Sequence, residues 1–526
     1  DVAANGSQLP GRGFSFTVRR EMPKRALARE AFRNEAVGEK ARLGPRPGSN
    51  VWAVGKLRTT EGRALLANDP HLDLTIPGIW YLLDVRFPGV HVAGATIPGV
   101  PGIVLGHNER IAWGASNAQT ATASVYDAGA LSRSGWVNER IHVRFANDVV
   151  RAYYRTPREF GVPNDNDRNR MALVRWPPYA QTQSTISTFL ALDRADGVAG
   201  ALDTLRAYRG SPQNFVIAST DGTVAYHLAG AIPDDAAWGR YVHPARDLRV
   251  SMPLVPFDAL PAIEAGPSRV VLSANNKMYG PAYARRLSPS FEPPYRAYRI
   301  AELLAVRRTY DAAYFARMQM DTLSPVDLEI ARAIVRVARA NPLDVPSDWV
   351  DGLAAWDGRF TPDSKAASIE HAMRTTMLEG APSIGALMAQ LREGAKSPNA
   401  LGAIRDALSP ALRREAAWGA AGAVPVEHPL APMRFTFLNG HALEGLGDEY
   451  TIHLQEPGFT QGFRAVWDVG NWDAGGIAIP NGESGEPGSG HYRDLADEWE
   501  KGTLHALPFS ETAIAHATRE TLMLRP

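Results

Sequence analysis

The chain has 526 residues with 56 basic and 56 acidic side chains, so no net field draws it to nucleic acid or to an anionic membrane. Hydrophobic residues at 45% and charged residues at 21% place it among globular proteins long enough to bury a substantial core. The absence of cysteine excludes disulfides, thiolate metal sites and a cysteine nucleophile, and no apolar run approaches the roughly 18 residues that would span a bilayer.

Asp1 opens the chain without an initiator Met or a signal-peptide pattern, which reads as a processed or truncated product. Residues 1–23 are polar and turn-rich, with one expected strand at 13–18. Residues 24–43 place Ala26, Leu27, Ala31, Phe32 and Ala36 among charges, the pattern of a weakly amphipathic helix with a basic face. Glu21, Glu30, Glu35 and Glu39 argue against a nucleic-acid arm there. Gly44, Pro45, Arg46, Pro47 and Gly48 end that helix and predict an exposed, protease-accessible connector.

Gly48, Ser49 and Asn50 then lead into the apolar Val51, Trp52, Ala53 and Val54. Taken locally, this is a turn before a strand. If the bond between Gly48 and Ser49 were cut, Ser49 would carry a nucleophilic hydroxyl and a free α-amine, a nucleophile with its own base.

From residue 51 to about 127 the pattern is that of strands. Residues 51–54 and 64–67 flank a polar turn at 58–62 and predict a hairpin. Residues 80–87, 91–96 and 103–106 continue the series, punctuated by Pro-Gly pairs, and together predict an antiparallel sheet. Gly106, His107 and Asn108 read as a structural hairpin turn. Residues 128–265 read as further strands and loops. The polar run 164–170 lacks the glycine and terminal glutamate of a calcium loop and predicts a hairpin tip.

A strand at 269–274 precedes Asn275 and Asn276, a helix starts near Tyr295, and residues 325–417 read as mostly helical. Leu328, Ala331 and Val335 recur there at helical spacing. Residues 435–467 predict short strands again. The glycine-rich stretch 481–492 has the wrong spacing for a nucleophile elbow and no Gly-Lys-Ser/Thr phosphate cradle.

Several segments, in this order, resemble the penicillin acylase family of N-terminal-nucleophile hydrolases. They are Gly48-Ser49-Asn50-Val51-Trp52, Leu66-Ala67-Asn68-Asp69-Pro70-His71-Leu72 and the run from Gly102 to Gly114 containing Gly106-His107-Asn108-Glu109-Arg110. Ser273-Ala274-Asn275-Asn276, Pro293-Pro294-Tyr295-Arg296 and Ser484-Gly485-Glu486-Pro487 complete the set.

The resemblance implies an α+β, four-layer α-β-β-α fold with two stacked antiparallel sheets and a helical excursion at 325–417. It implies that 1–48 is a remnant of an α-subunit or spacer ending in a cleavage site, and that 49–526 is the acylase β-subunit. Cleavage between Gly48 and Ser49 would expose Ser49 as nucleophile, with its α-amine as base. Asn275 and the backbone N–H of Asn117, or of a neighbour in 116–118, would bind the oxyanion. His71 would lie close to the amine, and Arg296 would support the polar network.

Leu72, Trp80, Val104, Leu105 and Ala115, with Gln119 nearby, would line an aliphatic acyl pocket. The implied reaction is hydrolysis of a linear N-acyl amide, such as an N-acyl-homoserine lactone or an acylated β-lactam. It needs no cofactor for its chemistry. A structural calcium ion, held in some members by acidic residues after the Trp-Gly segment, meets only Asp127 beyond Gln119-Thr120-Ala121-Thr122-Ala123-Ser124 here. The implied partners are a small N-acyl substrate and an α-subunit from a separate chain or a cleaved segment, with no nucleic acid and no membrane insertion. The implied location is the bacterial periplasm or the exterior. The alternatives are an unprocessed, inert member of the fold serving as a scaffold, and a serine hydrolase using His71, His107 or His491, for which no elbow motif is present.

Overall fold

Every residue of the first strand, β1 (Gly48–Val54), is buried. It ends at Gly55, where a side chain cannot fit, because a Cβ there would stand 2.3 Å from the Pro267 carbonyl oxygen. The computed structural model describes residues 48–523 apart from 130–134, 165–166, 181–184, 249–250, 281–282, 284–286, 289–290, 344, 412–415 and 457. The strand expected at 13–18, the helix at 24–43 and residues 44–47 of the connector lie outside the described residues. Gly48 does not lie on an exposed connector. It is buried as the first residue of β1, paired with His71.

The first sheet runs β16 (Val270–Ser273), β1, β2 (Leu65–Asp73), β19 (Arg464–Asp468), β20 (Gly476–Ala478) and β21 (His505–Ala506), and β18 (Phe459–Gln461) joins β17 (Gln455–Glu456) to β2. The second runs β15 (Ala262–Gly266), β13 (Val224–Ala229), β12 (Gln213–Ser219), β6 (Ile111–Asn117), β5 (Leu105–Asn108), β4 (Val90–Thr96) and β3 (Tyr81–Phe87). Neighbours in both are antiparallel. A third sheet runs β14 (His243–Pro244), β7 (Ser124–Gly129), β11 (Asp167–Arg175), β10 (Glu159–Asn164), β9 (Val149–Arg155) and β8 (Trp136–Ile141). Asn164 faces Asp167 across the expected hairpin tip.

Strand alternation sorts β1 between two cores. Val51 and Ala53 enter the core shared with Ala112, Val216 and Ala218 of the second sheet. Trp52 and Val54 face away, towards Ile300 of α3 (Tyr295–Ala305) and Phe315 of α4 (Ala312–Gln319). Beyond the second sheet, α1 (Thr185–Leu192) and α2 (Val198–Leu205) contribute Leu192, Val198, Ala201 and Leu205 to the shared core. The layers are therefore α, β, β, α.

The two helices α1 and α2 correct the expectation of strands and loops throughout 128–265. Val198, Ala201 and Leu205 recur at helical spacing, a short signal hidden among strand-like neighbours. Residues 435–454 also depart from expectation. Apart from one 3-10 turn at Thr436–Leu438 and a single bridge between Val424 and Leu443, they form turns and loop up to Gln455. Gly447 shows why, with φ of +79° and its Cβ position 1.8 Å from the His453 carbonyl oxygen. His107 sits within β5 opposite Ala93 and Ala112, stacked on Trp472 with ring centroids 4.3 Å apart.

Residues 325–417 carry α5 (Pro325–Ala340), α6 (Ser347–Ala355), α7 (Lys365–Gly380), α8 (Ile384–Arg392) and α9 (Pro398–Ala411), around a separate core of Ile330, Ile334, Phe360, Met373 and Leu387.

A polar seam joins the two stacked sheets. Asn68 Nδ2 donates to the carbonyls of Asn50 (2.8 Å) and Ala115 (3.0 Å), and its Oδ1 accepts the Ala115 N–H at 3.0 Å. The hydroxyls of Ser116 and Ser273 lie 2.7 Å apart, and Asn214 Nδ2 donates to both. Buried groups of this kind are costly once a partner is removed. Asn68→Ala is expected to destabilise the protein by about 3 kcal/mol, because it strands buried groups of β1 and β6. A urea midpoint unchanged from native would contradict that role.

Candidate active site

The antiparallel register pairs Gly48 with His71, Ser49 with Pro70 and Asn50 with Asp69. Because side chains alternate, the Ser49 hydroxyl shares the inner face with Val51 and Asn68. Asn50, Asp69 and His71 lie together on the outer face, under α3 and α4. Ser49 is therefore approached from two sides, its hydroxyl from one and its backbone nitrogen from the other.

The Ser49 hydroxyl donates to the Gly48 carbonyl oxygen at 2.5 Å. The Ser49 N–H donates to Asn275 Oδ1 at 2.6 Å. Asn275 follows β16 with φ of 64°, a left-handed conformation that asparagine tolerates better than most residues. Its Nδ2 donates to the Asn117 carbonyl at 2.9 Å, and the second hydrogen of that amide is left for another acceptor. Asn117 ends β6, so Asn275 ties the ends of both stacked sheets to the nitrogen of Ser49.

Arg296, in the first turn of α3, is buried and spans the same groups. Its Nη1 donates to the Ser49 carbonyl (3.2 Å) and Asn50 Oδ1 (2.7 Å), and its Nη2 donates to Asn275 Oδ1 (3.1 Å). Burial lowers its pKa, but a guanidinium stays charged at neutral pH. A fixed positive charge thus sits beside the backbone of Ser49.

His71 is fully buried, which lowers its pKa and favours the neutral ring despite Asp69. Its Nε2 lies 2.8 Å from Asp69 Oδ2, and its Nδ1 has no hydrogen-bond partner among the described residues. Asp69 also accepts from Asn50 Nδ2 (2.7 Å), Gln461 Nε2 (3.0 Å) and Gln319 Nε2 (3.2 Å). Gln461 passes the network on to Arg464, whose pKa burial pushes down to about 9.

The structure thus brings Ser49, His71, Asn117, Asn275 and Arg296 together. The motif reading did not single out Asn50, Asn68, Asp69, Gln319 or Gln461. Asn50, Asn68 and Asp69 left a visible signal, polar side chains inside short apolar strands. Gln319 and Gln461 left none.

Of the expected acyl-lining residues, Leu72 lies on the same face of β2 as Asn68 and Pro70, the face that carries the Ser49 hydroxyl. Trp80 and Leu105 are buried in the large apolar core, Ala115 is buried in the same core on the helix side of the second sheet, and Leu72 and Val104 pack against that core. Trp80, one of the expected lining residues, meets Phe463 edge-on with centroids 5.0 Å apart, so Phe463 adds a second aromatic ring there. The methyl of Ala115 points to the opposite face of β6 from Gly114 and Ser116, so Ala115 reaches the Ser49 side through its backbone bonds to Asn68. Gln119 has φ of 52°, and its N–H donates to Asn117 Oδ1. The exposed His491 pairs with Asp494. Among the described residues, no group of three or more His, Asp or Glu side chains is arranged to hold a metal ion, and no helix is long and apolar enough to cross a membrane.

Comparison with known proteins places this geometry in context. The family model described as Penicillin amidase matches residues 8–516. The chain is similar to a penicillin acylase 2 proenzyme from Pseudomonas sp. (strain SE83), 26% identical over 534 residues that cover 89% of this chain and 68% of that protein. It is also similar to the acyl-homoserine lactone acylase QuiP from Pseudomonas aeruginosa, 24% identical over 566 residues that cover 88% and 66%. It spans about two thirds of the length of these relatives. In fold it resembles a thermostable penicillin G acylase from Alcaligenes faecalis, with a TM-score of 0.66 at 17% identity, covering 91% of this chain and 99% of that one.

Acid should loosen the protein through its buried imidazoles. Burial pushes His107 and His453 each down to about 3, below their ordinary 6.5. The unfolded chain therefore binds more protons than the folded one between those values, and stability falls as pH drops from about 6.5 towards about 3. Each ring contributes up to about 1.4 kcal/mol per pH unit. His453→Gln should flatten the plot of urea midpoint against pH in that window, and an unchanged slope would mean that His453 does not titrate with unfolding.

Proposed function

The chain belongs to the penicillin amidase family, and from that premise we propose that it is an amide hydrolase working through Ser49 as an N-terminal nucleophile. One observation carries the reading: the Ser49 hydroxyl is held at its own preceding carbonyl while Asn275 holds its nitrogen.

Maturation follows from that contact. Ser49 Oγ attacks the Gly48 carbonyl carbon, the C–N bond breaks as the nitrogen takes a proton, and an ester links Gly48 to Oγ. Water hydrolyses the ester, leaving a Gly48 carboxylate and a Ser49 that carries both hydroxyl and α-amine. This cleavage would separate 1–48 from the 49–526 β-subunit, and an α-subunit segment would complete the acyl site.

In turnover the amine accepts the Oγ proton as Oγ adds to the substrate carbonyl. An unperturbed α-amine titrates at about 7.7–8. The buried Arg296 cation favours its neutral, basic form. The oxyanion is bound by the remaining N–H of Asn275 Nδ2 and a backbone N–H of 116–118, each donor contributing about 3 kcal/mol. The amine then protonates the leaving nitrogen, and water releases the acid from the acyl-ester.

Leu72, Val104, Leu105 and Trp80 make an aliphatic pocket with an aromatic wall, fitting a flexible acyl chain. N-acyl-homoserine lactones and N-acylated β-lactams are the proposed substrates, and the periplasm or the exterior is the proposed location. The residues named take every step without a metal or organic cofactor. A structural calcium ion would have to be held away from these side chains.

Intact mass and N-terminal sequencing of the purified protein should show a chain beginning at Ser49, together with turnover of N-acyl-homoserine lactones. Ser49→Ala should remain uncleaved and lose hydrolysis entirely. Hydrolysis surviving in that variant would rule out the mechanism. A native protein that stays uncut and turns over no acyl-amide would support a scaffold role instead.

A further inference from the structure

The polar network on the outer face of β1 contains one carboxylate that touches neither the nucleophile nor the expected oxyanion site. Asp69 is buried and accepts from four side chains on four segments of the chain: Asn50, His71, Gln319 and Gln461. Both amide hydrogens of Asn50 are spent, one on Asp69 and one on the Ile452 carbonyl at 2.9 Å. Asn50 Nδ2, 3.3 Å from His71 Nε2, therefore has no hydrogen left to donate to the ring. A carboxylate can only accept, so the proton between Asp69 and His71 belongs to Nε2. In the neutral ring this leaves a lone pair on Nδ1.

Among the described residues that lone pair has no partner, and it is aimed at Gly48. A Cβ built on Gly48 would stand 3.0 Å from His71 Nδ1. Gly48 is the residue whose departure converts the Ser49 peptide nitrogen into an amine.

We propose that Asp69 is a positioning residue that fixes the tautomer of His71, so that Nδ1 accepts a hydrogen bond from the freed α-amine of Ser49. The inference rests on the acylase reading above. A neutral amine has two N–H bonds and one lone pair. Asn275 Oδ1 already accepts from this nitrogen at 2.6 Å, and His71 Nδ1 takes the second N–H in the space that Gly48 leaves. With both hydrogens held on the outer side, the lone pair is directed at Oγ on the inner side. When Oγ adds to the substrate carbonyl, its proton moves to that lone pair, and the amine passes it to the leaving nitrogen as the C–N bond breaks. The opposite tautomer would aim an Nδ1–H at the amine and occupy the lone pair that has to act as base. Asp69→Asn permits this opposite tautomer, because an asparagine N–H can donate to Nε2.

The test is a double-mutant cycle on processed enzyme, together with a direct reading of the tautomer. In the native background, Asp69→Asn should lower kcat by about 100-fold or more while KM stays within about threefold. In a His71→Gln background the same change should cost less than about threefold, because the ring it acts through is gone. Equal losses in the two backgrounds would mark a merely structural role and overturn the inference.

Should Asp69→Asn fail to fold or process, nitrogen-15 NMR of histidine-labelled Ser49→Ala protein decides. It uses native Asp69 and assigns the ring by loss of its signal in His71→Gln. An Nε2–H tautomer for His71 supports the inference, and an Nδ1–H tautomer overturns it. A native protein that turns over no acyl-amide overturns the acylase reading and this inference together. Native turnover that is lost in Ser49→Ala keeps the reading, so the cycle and the tautomer then bear on Asp69 alone.

Discussion

The pairing of β1 with β2, which sets Gly48 against His71 and Asn50 against Asp69, is the constraint on which the site depends. A slip of one residue would carry every side chain of β1 to the other face. Ser49 would then point at the helices, and Asn50 would meet the apolar core. Two features hold the register. Trp52 and Val54 fit the core against α3 and α4 while Val51 and Ala53 fit the inter-sheet core, and exchanging them would mismatch both. Asn68 adds a directional lock, since its two bonds to Ala115 form only when it faces that residue across the gap between sheets.

That register also explains how so many polar groups are buried without an adjacent opposite charge for each. Arg296 is satisfied by the Ser49 carbonyl and two amide oxygens, and Asp69 by three amide groups and an imidazole. Amide dipoles are rigid once bonded, so they solvate both charges without moving. Such a network is costly when half satisfied and specifying when complete. Here it keeps a cation and a carboxylate on the outer face at a fixed separation from one backbone nitrogen. The inner face is left to the hydroxyl and to apolar side chains such as Val51 and Ala53.

Much of this was legible because the motif residues lie where the chain changes character. Ser49 stands at the entry to an apolar strand, His71 follows Asp69 and Pro70 at the end of another, and Asn275 and Arg296 flank a Pro-rich loop. Strands with period-two patterning and turn signals on both sides were equally visible, as in β1, β2 and β4. What escaped had physical reasons. Helices α1 and α2 are only two turns long and show few periodic positions. In 435–454, apolar residues that read as strands are interrupted by glycines the backbone cannot do without, Gly447 above all. Asp69 was quoted as part of a motif, but its importance arises from partners such as Gln319, 250 residues away, and Gln461, 392 away. Spacing along the chain carries no trace of such contacts.

The helical stretch that follows α4 looks peripheral, having its own core, yet the site leans on it at two points. Arg374 of α7 is buried and pairs with Asp327 of α5 at 2.8 Å, and with Asp448 and Glu449 beyond the helices. Burial alone would raise Asp448, but Arg374 beside it holds the carboxyl down at about 2. Glu370, with no such hydrogen-bonded contact to the cation, is pushed well up by burial. The charged pairing therefore anchors the segment 448–452 firmly. From that segment Tyr450 packs edge-on against Tyr295 with centroids 5.5 Å apart, next to Arg296, and the Ile452 carbonyl takes the second hydrogen of Asn50 Nδ2. If that carbonyl were displaced, Asn50 would regain a free hydrogen 3.3 Å from His71 Nε2 and compete with Asp69 for the ring. A buried ion-pair cluster in a separate core thus supports the segment whose Ile452 carbonyl keeps Asn50 Nδ2 occupied.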